Sequence, residues 1–147
     1  MTQEQKQLLL KDLSARLPYG VKVQIDLQSN IYPPMICKVC NIEFSEMSGS
    51  FIGVEVLPDS YCEYREFLCK PYLFPLSSMT DEQKEYINNR WGINDDYNFE
   101  IDPDCGEYTI SYIDVYNFIT WLNENHFDVN GLITKGLALD ATNLNIY

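Results

Sequence analysis

The sequence is poor in bases and has no basic run. Lys and Arg total 10 against 22 Asp and Glu, a formal net charge of -12. A nucleic-acid backbone is gripped by Lys and Arg contacts that release its counterions, so this balance argues against direct nucleic-acid binding. An anionic membrane surface repels such a chain for the same reason. No stretch approaches the ~18 consecutive apolar residues of a membrane span. The segment Met1 to Leu17 is polar and helical in pattern, without the apolar centre of an export signal. Cysteines are few and odd in number: Cys37, Cys40, Cys62, Cys69 and Cys105. Together these features predict a soluble cytoplasmic protein with reduced thiols. Internal repeats, low-complexity tracts, Gly-rich phosphate loops, serine elbows and H-E-x-x-H are also missing.

What is present suffices for a core. The 147 residues are 46% hydrophobic, with eleven Tyr and seven Phe, which places the chain among globular rather than disordered sequences. The length fits one domain over residues 1–147. A chain of this size buries about 68–70% of its unfolded surface and needs no disulfide or metal.

Thr2 and Gln5 have capping-box form, and Leu9, Leu13 and Leu17 recur at helical spacing. A helix is predicted from about Thr2 to Leu17, ended by Pro18 and Gly20. Val21, Val23, Ile25 and Leu27 alternate with polar residues as a strand. Met35 to Phe44 and Phe51 to Leu57 read as two more strands, and Glu66 to Lys70 as a short fourth that Pro71 ends or places at an edge. Thr80 and Gln83 repeat the capping box and open a helix from about Asp81 to Arg90, with Gly92 as its stop. Residues 97–101 and 108–112 alternate on either side of a polar loop as an antiparallel hairpin. Val115, Ile119 and Leu122 mark a third helix from Ser111 to about Asn125. The remainder, His126 to Tyr147, reads as loop with a docked end. The class is α+β with mainly antiparallel pairing. The early strands can either curl into a small SH3-like barrel or lie as an open sheet.

Cys37-Lys-Val-Cys40 is a C-x-x-C, but a zinc site needs a second ligand pair, and Cys62 and Cys69 lie too far apart to supply one. On a strand, an offset of three sends the two thiols to opposite faces. His126 is the only histidine, and no spacing gives it a catalytic cysteine. A histidine at a helix end suits the dipole when protonated. The run Pro71 to Leu76 reads as a packed connector. No cofactor and no metal is expected.

The acids are unevenly placed. Between Arg90 and Lys135 there is no Lys or Arg, and nine acids. Six of them, Asp95, Asp96, Glu100, Asp102, Asp104 and Glu107, are clustered. An EF-hand is excluded because Ile101 stands where the calcium loop needs Gly. Paired carboxylates in a cleft would allow glycosidase-type chemistry. Carboxylates interleaved with Trp91, Tyr97 and Tyr108 suit a protein partner with a basic surface. A denser, continuous carboxylate band would imitate DNA.

The segments KDLSARLPYGVKV (11–23), KPYLFPLSSMT (70–80), WLNENHFD (121–128) and GLITKGLALDA (131–141) resemble a family of short, functionally uncharacterised proteins from gut bacteria and their prophages or mobile elements. The resemblance implies an accessory role and no particular chemistry. The expectation is a protein that binds a basic partner through its acidic region. A small carboxylate- or thiol-based enzyme and an anti-defence DNA mimic stand as alternatives.

Overall fold

The Thr2 hydroxyl accepts from the Gln5 N–H at 3.2 Å, and the Gln5 side chain accepts from the Thr2 N–H at 2.8 Å. Helix α1 (Gln3–Arg16) therefore begins with two otherwise free amides satisfied. The structure is a computed structural model, and it describes residues 1–29, 31–45, 49–58, 60–93 and 112–147. The expected hairpin over 97–112 lies outside this set except for Tyr112, which opens helix α3 (Tyr112–Glu124) rather than ending a strand.

Strands β1 (Lys22–Ile25), β2 (Met35–Ser45), β3 (Gly49–Leu57), β4 (Ser60–Arg65), β5 (Cys69–Leu73) and β6 (Leu139–Asp140) form one open sheet in the order β4-β3-β2-β1-β5-β6. All pairings are antiparallel except β5 with β6. The SH3-like barrel is thus not formed. Leu9, Leu10 and Leu13 of α1 pack on Val23, Ile25, Cys37, Val39, Ile52, Val54 and Cys69 from one face of the sheet. Each of the Leu, Val and Ile side chains is worth roughly 1.5–3 kcal/mol when fully buried. Cys37 belongs to this core. Cys40 sits at a register shift between Val39 and Asn41 and stays outside it, so the C-x-x-C is split.

The fourth expected strand is displaced. Glu66–Leu68 is a 3-10 turn, and the strand runs over Cys69–Leu73 with Pro71 inside it. The Asp26 N–H donates to Leu68 O at 3.1 Å. Counting along this antiparallel ladder makes Val23–Pro71 a pair without hydrogen bonds between the strands. Proline has no N–H to lose there, so it sits between two strands and not at an edge. Edge strand β4 shows no apolar alternation, because its first four residues are all exposed.

Helix α2 (Asp81–Trp91) repeats the capping box at Thr80 and Gln83. It stops at Gly92, whose φ of 63° is a left-handed conformation natural to glycine. A second core joins α2 and α3 through Met79, Ile87, Ile93, Phe118, Leu122 and Phe127. Leu122 faces this core as its spacing predicts, but Val115 and Ile119 are exposed.

Arg16 ties the two cores together. Its guanidinium pairs with Asp12 at 2.7 and 3.0 Å and donates to Phe127 O at 2.6 Å and Asn123 O at 3.5 Å. Asp12 and Arg16 are both fully buried. Asn130 adds a bond to Asp12 at 2.8 Å.

Candidate functional site

Asp95, Asp96, Tyr97, Glu100, Asp102, Asp104, Glu107 and Tyr108 lie outside the described residues. Of the expected binding residues the structure places Trp91. It is the last residue of α2 and is half-buried. Its ring meets Tyr86 at 5.6 Å, edge to face, Phe118 at 5.6 Å and Trp121 at 6.1 Å.

Trp91 begins a continuous run of rings. Trp121 stacks on Tyr86 at 5.7 Å and on Phe127 at 5.8 Å. Phe127 meets Phe74 at 6.3 Å, and Phe74 meets Tyr147 at 5.9 Å. Tyr147 stacks on His126 at 3.8 Å with ring planes 13° apart. Such tilted and offset pairs each add about 0.5–1.5 kcal/mol beyond area burial. Tyr86, which meets Trp91, reaches solvent, as do Val115, Tyr116 and Ile119 of α3. Asp81, Glu82 and Glu85 on α2 and Asp114 and Glu124 on α3 are exposed on the same two helices. Asp128 belongs to the nine acids of this stretch but is buried. Its carboxylate accepts from Leu132 N–H at 2.7 Å and Ile133 N–H at 2.9 Å and shapes the turn that follows.

The far end of the run is a pocket of about 450 Å³, within the usual size of small-ligand sites, ~300–1,000 Å³. Phe74 and Ser78 line it from the connector after β5, Thr80 and Gln83 from the start of α2, Glu124 to Phe127 from the end of α3, and Tyr147 from the tail. The backbone explains the position of His126. The Phe127 N–H donates to Leu122 O at 2.9 Å and the His126 N–H to Asn123 O at 3.1 Å, which closes α3 with a left-handed residue. That residue is usually glycine. Here it is His126, with φ 59°. The residue is 7% exposed, and its Nδ1 has no hydrogen-bond partner.

Burial, then the Arg16 and Lys22 cations, push the imidazole down to about 4. The ring is therefore neutral at pH 7, and the expected interaction of a protonated His126 with the helix dipole is corrected. Arg16, reaching across from α1, is the cation at this helix end, donating to Asn123 O in the last turn of α3 and to Phe127 O just beyond it. Tyr147 is fixed by donating to Tyr72 O at 2.8 Å and accepting from Lys22 N–H at 3.2 Å, and burial pushes its phenol up to about 12. Lys22 Nζ in turn donates to Ile146 O.

The pocket's polar groups have spent many of their donors internally. Ser78 Oγ donates to Pro75 O at 2.7 Å, and Asn125 Nδ2 donates to Trp121 O at 2.8 Å. The Thr80 and Gln83 amides are used in the capping box. Acceptors remain: the Glu124 carboxylate, the Asn125 carbonyl and the Ser78 lone pairs.

Glu124 is the one carboxylate among the described lining residues, so a two-carboxylate hydrolytic pair is not assembled there. No described cysteine lines this pocket either. Cys37 and Cys69 are core thiols whose pKa burial raises, Cys69 to about 12, the opposite of an activated nucleophile. Among the described residues no group of three His, Cys, Asp or Glu side chains is placed to hold a metal ion, and no helix is long and apolar enough to cross a membrane.

Sequence reasoning singled out Trp91 and His126 and read Phe74 as part of the Pro71–Leu76 connector, but missed Tyr147 and Arg16. A signal for Arg16 existed, because Asp12 and Arg16 fall on the same helical stripe as Leu9 and Leu13. No family model matches the chain, and neither a curated protein nor a solved structure is significantly similar to it.

Proposed function

We propose that this protein is a binding module for a protein partner with a Lys- and Arg-rich surface. One observation carries the reading: α2 and α3 expose Tyr86 and Tyr116, and α2 ends at Trp91, where a stretch of sequence, residues 91–134, with nine acids and no Lys or Arg begins. Trp and Tyr supply large contact area at low entropic cost and dominate interface energetics. Carboxylates around them steer a basic surface into place and exclude acidic ones. Trp91 belongs to both features, since the acidic cluster begins four residues after it. Asp95, Asp96, Glu100, Asp102, Asp104 and Glu107 are the steering charges in this reading, with Tyr97 and Tyr108 as further contacts. An accessory role in a bacterium, prophage or mobile element, as the resemblance implies, is part of the same proposal.

Affinity capture tests it, with the wild-type chain and the Asp102→Lys/Asp104→Lys variant as baits at low and high salt. A stoichiometric basic protein should be retained by the wild type at low salt. It should be lost with the variant and at high salt. Equal retention by both baits removes this surface from the account.

A further inference from the structure

We infer that the pocket formed by Phe74, Glu124, Asn125, His126, Phe127 and Tyr147 receives the guanidinium of an arginine presented by the basic partner. This rests on the proposed function and names the side chain that the partner must offer.

The pocket's chemistry selects a flat, donor-rich cation. Its described lining holds one carboxylate and neither Lys nor Arg. The nearby cations have their own partners, Arg16 in Asp12 and two carbonyls, and Lys22 in Ile146 O, its ammonium lying 5.7 Å over the Tyr147 ring, so this aromatic wall already faces a cation. The internal bonds of Ser78 and Asn125 leave acceptors toward the ligand. The capping box occupies the Thr80 and Gln83 amides, and Asp81 and Glu82 put two carboxylates in the first turn, which disfavours an anion at this helix start. Aromatic walls complete the match, because a guanidinium stacks on ring faces while its edge donates to a carboxylate. An ammonium has no plane to stack and is more strongly hydrated, so lysine is the poorer occupant.

His126 is a built feature of this pocket. A non-glycine residue with φ 59° is held there, and its buried Nδ1 is left without a partner. Both choices cost stability. Together they place a flat ring against Tyr147 at the pocket wall. The neutral ring adds no charge that would repel a cation.

Nuclear magnetic resonance of the whole chain, titrated with N-acetyl-arginine amide and with N-acetyl-lysine amide, tests the assignment. The arginine compound should give saturable shifts at the ring signals of His126 and Tyr147, and the lysine compound should bind at least about tenfold more weakly. Glu124→Gln should weaken the arginine compound about tenfold or more, through the loss of a charge-assisted bond. Glu4→Gln, an exposed acid on α1, should leave it unchanged. Equal binding of the two compounds, or no effect of Glu124→Gln, overturns the assignment. If the arginine compound fails to bind while partner capture still depends on Asp102 and Asp104, the pocket assignment falls and the proposed function stands. If neither the arginine compound nor a basic protein binds, both fall.

Discussion

His126 concentrates several costs in one residue. It takes the left-handed position after α3, hides an unpaired ring nitrogen and lies parallel to Tyr147. Two predictions belong at this scale. In His126→Ala the left-handed backbone cost of about 1 kcal/mol persists, and the stacking is lost. In His126→Gly the stacking is lost as well, but the backbone is relaxed. Urea unfolding should therefore find the Gly variant more stable than the Ala variant by about 1 kcal/mol. An Ala variant equal to or better than Gly contradicts the assigned geometry. The second prediction concerns pH. The imidazole is held near 4 in the folded chain against 6.5 ordinarily, so below 6.5 the unfolded state binds the extra proton. The His126 contribution is fully present above pH 6.5 and is lost as pH falls toward 4. His126→Phe keeps a ring against Tyr147 and removes the titration. The wild type should lose stability relative to His126→Phe across pH 6.5 to 4, and a constant difference contradicts a buried neutral histidine.

At the scale of elements, the Asp12–Arg16 pair matters most, because it fastens α1 to the end of α3. Removing one member leaves a buried charge without its partner, at a cost of about 3–5 kcal/mol. Asp12→Ala and Arg16→Met should each lower the urea midpoint accordingly. Asp12→Leu/Arg16→Met should recover part of the loss, not all, since Phe127 O and Asn123 O each lose one of two donors and the Asn130 amide loses its Asp12 acceptor. A double variant that is worse than the sum of the singles contradicts this picture.

The elements also show what was legible in the sequence. Both capping boxes were readable, because Thr and Gln three residues apart act locally and both sets of bonds form. The alternation of Val21 to Leu27 marked β1, because one face of that strand packs under α1. Strand β4 left no such mark, since an edge strand open to solvent needs no alternation. Pro71 pointed to an edge, yet ladder register gives it a place between strands that requires no N–H. The two residues of β6 depend on a long-range parallel pairing with β5, which no local pattern announces. The pocket was hidden for the same reason. It joins residues 74, 124 and 147, which only the fold brings together.

At the scale of the whole molecule, the proposed binding divides its work between charge and rings. The net charge of -12 acts at long range and is screened over a Debye length of roughly 8 Å at physiological salt. The rings act on contact. The chain has two tryptophans, Trp91 and Trp121, and both lie in the same aromatic run at 6.1 Å. Intrinsic tryptophan emission is therefore a reporter of the surface itself. The most direct test of the account is to titrate the wild-type chain and Asp102→Lys/Asp104→Lys with an arginine-rich peptide, at low and at high salt, while reading that emission. The account predicts a saturable change for the wild type at low salt, strongly weakened by salt and by the charge reversal. An emission that does not respond, or that responds equally in the variant and at high salt, contradicts an acidic, aromatic surface made for a basic partner.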